Sequence, residues 1–225
     1  MPNPLNFNAE ISSENQFVAE FSNEISLYLK REDLLHPEVS GNKFRKLKYN
    51  IARALEQKQK TLLTFGGAFS NHIAATAAAG KLFDLKSIGI IRGEELGEEL
   101  ENTLAQNPTL KFAKSCGMQF KFVSRGDYRA KDTIEFQEKL KNEFGEFYLV
   151  PEGGTNDLAV KGCQEILNEK DGKFHFIAAS VGTGGTLAGL INASDINQKV
   201  LGFPALKGDF LSEEIEKYSI KNNWE

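Results

Sequence analysis

The sequence predicts an α/β fold with a mostly parallel sheet, because short apolar segments alternate with helical segments along much of the chain. Several apolar segments are apolar on both faces, as strands inside a parallel sheet usually are. A chain of 225 residues can also bury a large core without disulfides. The predicted strands are TLLTF (61–65), SIGIIR (87–92), QFKFVS (119–124), FYLV (147–150), FHFIAASV (174–181) and VLGFPAL (200–206).

Helices are predicted where apolar residues recur every three or four positions, because that spacing places them on one helix face. The segment NHIAATAAAG (71–80) is also predicted to be helical, and its alanines suit close packing against a sheet. The charged stretch EELGEELE (94–101) is predicted to face solvent. The three periodic sets are Phe44, Leu47, Ile51 and Leu55, then Phe136, Leu140 and Phe144, and finally Val160, Cys163 and Leu167.

The composition argues against several classes of function. With 27 Lys and Arg against 31 Asp and Glu, the net charge of −4 disfavours a nucleic-acid partner. No apolar stretch reaches the roughly 18 residues that a membrane span requires. Two cysteines and three histidines without ligand spacing predict no metal site. The N-terminus has no signal-peptide pattern, so we expect a cytoplasmic protein without a membrane partner.

The first candidate site residue is Lys43, in the segment SGNKFRKL (40–47). Ser40, Gly41 and Asn42 are typical of the turn before a helix, so Lys43 should lie in the first helical turn. The positive end of the helix dipole lowers the pKa of an amine there, as a lysine that forms a Schiff base requires. From this segment alone, an ordinary surface lysine is the better-supported interpretation.

The second candidate site is TFGGAFSNH (64–72), in which a predicted strand leads through two glycines into a helix. Free backbone N–H groups at such a helix start can bind an anion, and Ser70 and Asn71 would add side-chain donors. The alternative is a tight turn with a serine or asparagine cap. His72 by itself is more typical of a capping or packing histidine than of a catalyst.

The third candidate site is SVGTGGTLAGL (180–190), which follows the most apolar predicted strand and begins a helix. It lacks the lysine of a P-loop, and Leu187 stands where the dinucleotide fingerprint has its third glycine. A cofactor held through one phosphate therefore fits better than NAD or ATP, while a glycine-rich turn without a ligand is the alternative. The residues of the predicted phosphate cradle are Gly182, Thr183, Gly184, Gly185 and Thr186.

These segments occur in one order together with LKREDLLHP (29–37) and PEGGTNDLAVKG (151–162). In that order and spacing the sequence resembles the 1-aminocyclopropane-1-carboxylate deaminase / D-cysteine desulfhydrase family. This family comprises pyridoxal-phosphate enzymes of the tryptophan-synthase-β-like fold, called fold type II. Each motif alone is weakly specific, whereas four in order along the chain are strongly specific.

The resemblance implies a role for each candidate residue. Lys43 matches the catalytic lysine that forms an aldimine with pyridoxal 5'-phosphate, and the cradle residues match the phosphate-binding loop. Asn71 matches the residue that hydrogen-bonds the phenolic oxygen of the cofactor. Ser70, Asn71 and His72 match the loop that binds the substrate carboxylate, and Ser70 is a second catalytic candidate through assistance to proton transfer.

The resemblance also implies two three-layer α/β domains with mostly parallel sheets and the cofactor between them. The smaller domain is expected to comprise residues 49–159, and the larger one residues 1–48 and 160–225. Chains of the family are longer, so we expect the C-terminal part to be absent from this sequence. The partner of the pyridine nitrogen and the substrate-selecting residues are expected in that part. The resemblance further suggests a homodimer.

The expected reaction converts a small amino acid, with D-cysteine yielding pyruvate, sulfide and ammonia. A first alternative is deamination of 1-aminocyclopropane-1-carboxylate to 2-oxobutanoate and ammonia. A second is a non-catalytic chain that only binds the cofactor. A serine/threonine dehydratase or a cysteine synthase of the same fold is less favoured, because GGAFSNH differs from the substrate loops of those enzymes. A plain nucleotide-binding module is disfavoured by the missing fingerprints.

Overall fold

Eight strands and ten α-helices are present in the computed structural model, which describes residues 11–205 and 210–225, with only the backbone of Phe210. None of the described helices is long and apolar enough to cross a membrane. The strands are β1 (Asn15–Glu20), β2 (Ser26–Lys30), β3 (Thr61–Gly67), β4 (Lys86–Arg92), β5 (Gln119–Val123), β6 (Tyr148–Val150), β7 (Phe176–Val181) and β8 (Lys199–Pro204). The helices are α1 (Asn42–Glu56), α2 (Asn71–Leu82), α3 (Glu95–Glu98), α4 (Leu100–Gln106), α5 (Pro108–Ser115), α6 (Arg125–Arg129), α7 (Ile134–Phe144), α8 (Asp157–Gln164), α9 (Gly185–Ala193) and α10 (Phe210–Glu216).

The described residues form two compact units. We call Tyr49–Asn156 the inserted unit. We call the described parts of Asn6–Lys48 and Asp157–Glu225 the flanking unit.

The inserted unit contains a four-stranded parallel sheet in the order β5-β4-β3-β6. The central strands β3 and β4 are almost entirely buried, in agreement with their apolar composition. Helix α2 packs against both of them through its alanines. The chain leaves β3 toward β4 but returns after β5 to the other side of β3. In open parallel sheets, ligands bind at the carboxyl ends of strands beside such a reversal.

The flanking unit contains a parallel pair, β7 and β8, and an antiparallel hairpin, β1 and β2. Helices α8 and α9 pack closely, because Gly189 has no side chain. A Cβ atom there would lie 2.4 Å from the Cβ atom of Cys163. The core of this unit is formed by Val160, Cys163, Ile166, Val181, Leu187, Ala188, Leu190, Ile191, Val200, Leu211 and Ile215.

The predicted α/β class and the parallel sheets are confirmed, and the six predicted strands correspond to β3–β8. Residue 206, the predicted end of the last strand, lies outside the described residues. The predicted helical placement of Leu167 is wrong, because α8 ends at Gln164 and Asn168 caps a separate 3-10 turn. The hairpin of β1 and β2 was not predicted.

Candidate active site

Lys43 lies in the first turn of α1, as the sequence predicts. Gly41, two residues before Lys43, has a φ of +63°, a conformation that residues other than glycine rarely adopt. The first residue of the helix, Asn42, donates from Nδ2 to Oγ1 of Thr186 at 2.8 Å. The helix start that carries Lys43 is therefore hydrogen-bonded to the predicted phosphate cradle within the flanking unit.

The predicted cradle forms the connection between β7 and α9. Gly184 is the N-cap residue of α9 with a φ of +78°, and no side chain caps the described start of this helix. A Cβ atom at Gly182 would meet no heavy atom within 4 Å, so there is open space over the backbone at this point. Backbone N–H groups at a helix start, with open space beside glycine, suit a phosphate group.

Lys46 places a buried amine beside the same cradle. Its side chain is 2% exposed, and its Nζ atom donates to Oγ1 of Thr183 at 3.4 Å. Burial first, and the charge of Lys43 second, lower the pKa of Lys46 to about 7. Lys46 was not among the predicted site residues, although it follows Lys43 by three positions and so shares its helix face.

Burial also lowers the pKa of the Lys43 amine. A larger fraction of this amine is therefore neutral at neutral pH, and the neutral form is the one that attacks a carbonyl carbon or accepts a proton. The buried thiol of Cys163 lies nearby, but burial raises its pKa to about 11. The thiol therefore stays protonated and is not a competing nucleophile.

A buried ion pair anchors the beginning of α1. The guanidinium of Arg45, 1% exposed, donates from Nε to Glu32 Oε2 at 2.9 Å and from Nη2 to Oε1 at 3.0 Å. The hydroxyl of Ser13 donates to the same carboxylate at 2.6 Å. Glu32 belongs to the segment LKREDLLHP, so this motif has a structural function in holding the helix that carries Lys43.

The segment GGAFSNH connects β3 to α2 in the inserted unit. Ser70 is the N-cap residue of α2 without a side-chain capping hydrogen bond, and Asn71 is exposed. His72 is 1% exposed, and its Nε2 atom is 2.8 Å from Oγ1 of Thr64. The structure therefore leaves Ser70 and Asn71 accessible, whereas the imidazole of His72 is packed inside the unit.

Asn107 holds this loop from the neighbouring helix. Its Oδ1 atom accepts from the backbone N–H of Leu110 at 2.9 Å and so caps α5. Its Nδ2 atom donates to the carbonyl oxygen of Ala68 at 3.0 Å. Asn107 was not among the predicted site residues, because its second hydrogen bond joins residues 39 positions apart and no local pattern signals it.

The segment PEGG follows β6, the strand that pairs with β3 on the side opposite β4. Gly153 and Gly154 have φ values of +65° and +72°, which explains the two glycines. Glu152 accepts a hydrogen bond from the hydroxyl of Tyr128 at 2.7 Å. This loop and the GGAFSNH loop therefore both lie at the carboxyl ends of adjacent parallel strands, where ligands bind in such sheets.

The structure thus brings together Lys43, Lys46 and the cradle residues in the flanking unit, and it places Ser70, Asn71 and His72 at one helix start in the inserted unit. Within the described residues, the first group carries two amines of lowered pKa beside a phosphate-type loop. The second group offers neutral donors suited to a carboxylate.

Comparisons with known proteins agree with this chemistry. The family model described as "Pyridoxal-phosphate dependent enzyme" matches residues 11–203. A bifunctional D-cysteine desulfhydrase/1-aminocyclopropane-1-carboxylate deaminase of Arabidopsis thaliana is 35% identical over 181 residues, which cover 75% of this chain and 45% of that protein. A D-cysteine desulfhydrase of Klebsiella pneumoniae is 28% identical over 170 residues, covering 73% of this chain and 51% of that one.

A solved structure described as a 1-aminocyclopropane-1-carboxylate deaminase homologue superposes with a TM-score of 0.73 at 28% identity. The superposition covers 92% of this chain and 65% of that one. The chain thus spans about half the length of the curated relatives it matches.

Proposed function

Because the chain belongs to the family of pyridoxal-phosphate dependent enzymes, we propose that the protein acts as a lyase on a small amino acid, with D-cysteine as the leading substrate. The products would be pyruvate, sulfide and ammonia, with one water consumed. The observation that carries this proposal is that the partly buried Lys43 and the buried Lys46 lie on a helix start that is hydrogen-bonded to the glycine-rich cradle of the same unit. The names of the Arabidopsis and Klebsiella relatives support the substrate.

The cradle residues fit the phosphate of pyridoxal phosphate. The start of α9 offers backbone N–H groups, Thr183 and Thr186 offer hydroxyls, and open space lies over Gly182. Lys46 would supply the positive charge that a phosphate dianion needs in a buried place. We propose that the flanking unit is the cofactor-binding domain and that the inserted unit is the smaller domain.

Lys43 would hold the cofactor through its Nζ atom and then serve as the base. When bound, pyridoxal phosphate supplies an electron sink that stabilises negative charge at the α-carbon of the substrate. The lowered pKa of Lys43 suits its Nζ atom to accept the α-proton and return it later. The ion pair of Arg45 with Glu32 keeps the first turn of α1 in place during this transfer.

Ser70 and Asn71 would bind the substrate carboxylate at the start of α2, and Asn71 would also donate to the phenolic oxygen of the cofactor. Ser70 would assist proton transfer through its hydroxyl. Because the imidazole of His72 is buried against Thr64, we assign to His72 only its backbone N–H group as a carboxylate donor.

A second candidate substrate is 1-aminocyclopropane-1-carboxylate, since the Arabidopsis relative carries both activities in its name. This substrate has no α-proton, so its ring must open by another route, giving 2-oxobutanoate and ammonia. A homodimer, which the family resemblance suggests, is part of the proposal, and so is the cytoplasmic location, which rests on the sequence pattern of the N-terminus. Light scattering of the purified protein would measure the oligomeric state.

The test is to load the protein with pyridoxal phosphate, reduce it with borohydride and locate the modified lysine by mass spectrometry. We expect the label on Lys43 in the wild type and no label in Lys43→Ala. The exposed Lys81 provides a control, because Lys81→Ala should label like the wild type. A wild type that is folded but carries no label at Lys43 would contradict the proposal.

Keto-acid analysis then separates the substrates. Pyruvate from D-cysteine supports the leading proposal, and 2-oxobutanoate from 1-aminocyclopropane-1-carboxylate supports the second candidate. Labelling of Lys43 without keto acid from either compound would instead indicate a chain that binds the cofactor without turnover.

A further inference from the structure

We propose that Arg92 is a specificity-determining residue that favours amino acids carrying a second negative charge on the side chain, such as a carboxylate or a sulfonate. The inference rests on the proposed function, in which Ser70 and Asn71 bind the α-carboxylate. Arg92 is the last residue of β4, and its register partner on β3 is Gly67. It thus lies at the carboxyl end of the sheet, directly beside the start of the substrate loop.

Gly67 leaves the guanidinium of Arg92 accessible from the loop. A Cβ atom at Gly67 would have Nη2 of Arg92 as its nearest heavy atom, at 3.7 Å. The backbone N–H of Ser70 donates to the carbonyl oxygen of Gly67 at 3.0 Å, so the loop turns back tightly at this point. The start of α2 and the guanidinium therefore approach the same short turn.

Tyr128 provides a rigid platform for Arg92. The guanidinium carbon lies 5.5 Å from the centre of the Tyr128 ring, a cation–π arrangement. The ring packs edge-on against Phe65 at 6.2 Å, and its hydroxyl is bound to Glu152. Because the platform is fixed by β3 and by the PEGG loop, Arg92 is held in place without a carboxylate partner.

The charges around this platform are unequal. Lys131 also lies over the Tyr128 ring, at 5.7 Å, but it is paired with Asp132 at 3.1 Å and with Glu152 at 3.5 Å. Arg92 is exposed and forms no ion pair with any carboxylate in the part of the chain that the structure describes. The positive charge of Lys131 is thus compensated locally, whereas that of Arg92 is available to a ligand.

A guanidinium donates two parallel N–H groups to two oxygens of one anion, so it distinguishes a carboxylate or a sulfonate from a neutral group of similar shape. With the α-carboxylate at the start of α2, a second anion on a short side chain would face Arg92. The inferred substrate class is therefore that of small amino acids with a carboxylate or a sulfonate on the side chain.

The test compares aspartate with asparagine, in both enantiomers, because the two differ in charge but hardly in shape. Cysteate is included as the sulfonate probe. Dissociation constants are measured from the change in the cofactor absorption of the loaded protein, without any requirement for turnover. The variants are Arg92→Gln, Arg92→Lys and the matched control Lys131→Gln. Circular dichroism establishes that each variant is folded.

We expect the wild type to bind aspartate and cysteate at least about tenfold more tightly than asparagine, as loss of one charge-assisted pair predicts. Arg92→Gln should abolish this preference and leave asparagine binding unchanged. Arg92→Lys should retain part of the preference for the anionic amino acids, and Lys131→Gln should retain all of it.

The inference and the proposed function fail in different ways. Equal affinity of the wild type for aspartate and asparagine, with D-cysteine still bound, would overturn the inference alone. A charge preference that survives in Arg92→Gln would do the same. If the folded protein loads no cofactor at Lys43, the proposed function fails as well.

Discussion

The Nζ atom of Lys46 donates a hydrogen bond of 3.4 Å to the Oγ1 atom of Thr183, so the most deeply buried amine of the site contacts the glycine-rich cradle. Its pKa of about 7 means that its charge changes near neutral pH. An amine in this position gains a proton more readily when an anion binds beside it. Protonation of Lys46 and phosphate binding should therefore be coupled.

The first prediction concerns the stability of the cofactor-free protein. In the unfolded chain Lys46 keeps its proton up to about its ordinary pKa of 10.5, whereas in the folded protein it loses the proton above a pKa of about 7. Between these values the unfolded state binds more protons, so the free energy of unfolding rises with pH by up to about 1.4 kcal/mol per pH unit. Lys46→Met should remove the part of this rise that Lys46 contributes, leave the part that Lys43 contributes, and stabilise the protein most at the acidic end.

Urea unfolding between about pH 6 and pH 8.5 measures this effect. The upper limit stays below the range in which Cys163, whose pKa is raised from 9.0 to about 11, contributes a slope of opposite sign. Parallel stability profiles for the wild type and Lys46→Met would contradict the pKa assigned to Lys46.

The second prediction concerns affinity for the cofactor. Lys46→Met should weaken the binding of pyridoxal phosphate by about tenfold or more, because it removes a charge from the phosphate site. Borohydride should still attach the remaining bound cofactor to Lys43. Lys48→Met serves as the control, since Lys48 lies on the same helix but contacts Glu165 at 2.6 Å. Equal affinities of the two variants would argue against the phosphate role of Lys46.

The third prediction separates two glycines of the cradle. Gly184→Ala should lower the free energy of unfolding by about 1–2 kcal/mol, because its φ of +78° strains alanine and its Cβ atom would lie 3.1 Å from Ile215. Gly182→Ala should leave the free energy of unfolding nearly unchanged, because the added methyl group would point into open space. It should nevertheless weaken binding of pyridoxal phosphate, because the methyl group occupies the space that we assign to the phosphate.

Denaturant unfolding and cofactor titration of both variants test this pair. Gly182→Ala with normal cofactor affinity would show that the phosphate does not approach the backbone at that position.

The fourth prediction concerns the hold of Asn107 on the substrate loop. Asn107→Asp keeps an oxygen that caps α5 but replaces the donor to the Ala68 carbonyl with a second acceptor. We expect a loss of roughly 1–3 kcal/mol in stability and weaker substrate binding. Labelling of Lys43 by the cofactor should persist, because Lys43 belongs to the flanking unit.

Substrate affinity and borohydride labelling, measured on the same preparation, distinguish the two effects. Asn107→Ala loses the cap as well, so it should be the less stable variant. If Asn107→Asp binds substrate as tightly as the wild type, the loop does not depend on Asn107.

Several site features could be predicted because they depend on neighbours in the chain. The position of Lys43 in the first helical turn followed from Ser40, Gly41 and Asn42, which are local turn and cap signals. The connection of β7 to α9 through glycines followed from the small residues of the cradle. The hairpin of β1 and β2 was missed, although SLYLK alternates with the period of a strand, because the apolar residues Phe17 and Val18 of β1 are consecutive and do not alternate. Both are about half exposed in the structure.

The sequence by itself determined the alternation of strands and helices, the parallel class of the sheets and the two glycine-marked helix starts, because each depends on periodicity or on backbone conformation at single residues. Only the tertiary structure decided which of several lysines is buried, which carboxylate holds Arg45 and which asparagine holds the Ala68 carbonyl. Those outcomes depend on residues far apart in the chain, such as Thr183 for Lys46, and no local pattern encodes such a pairing.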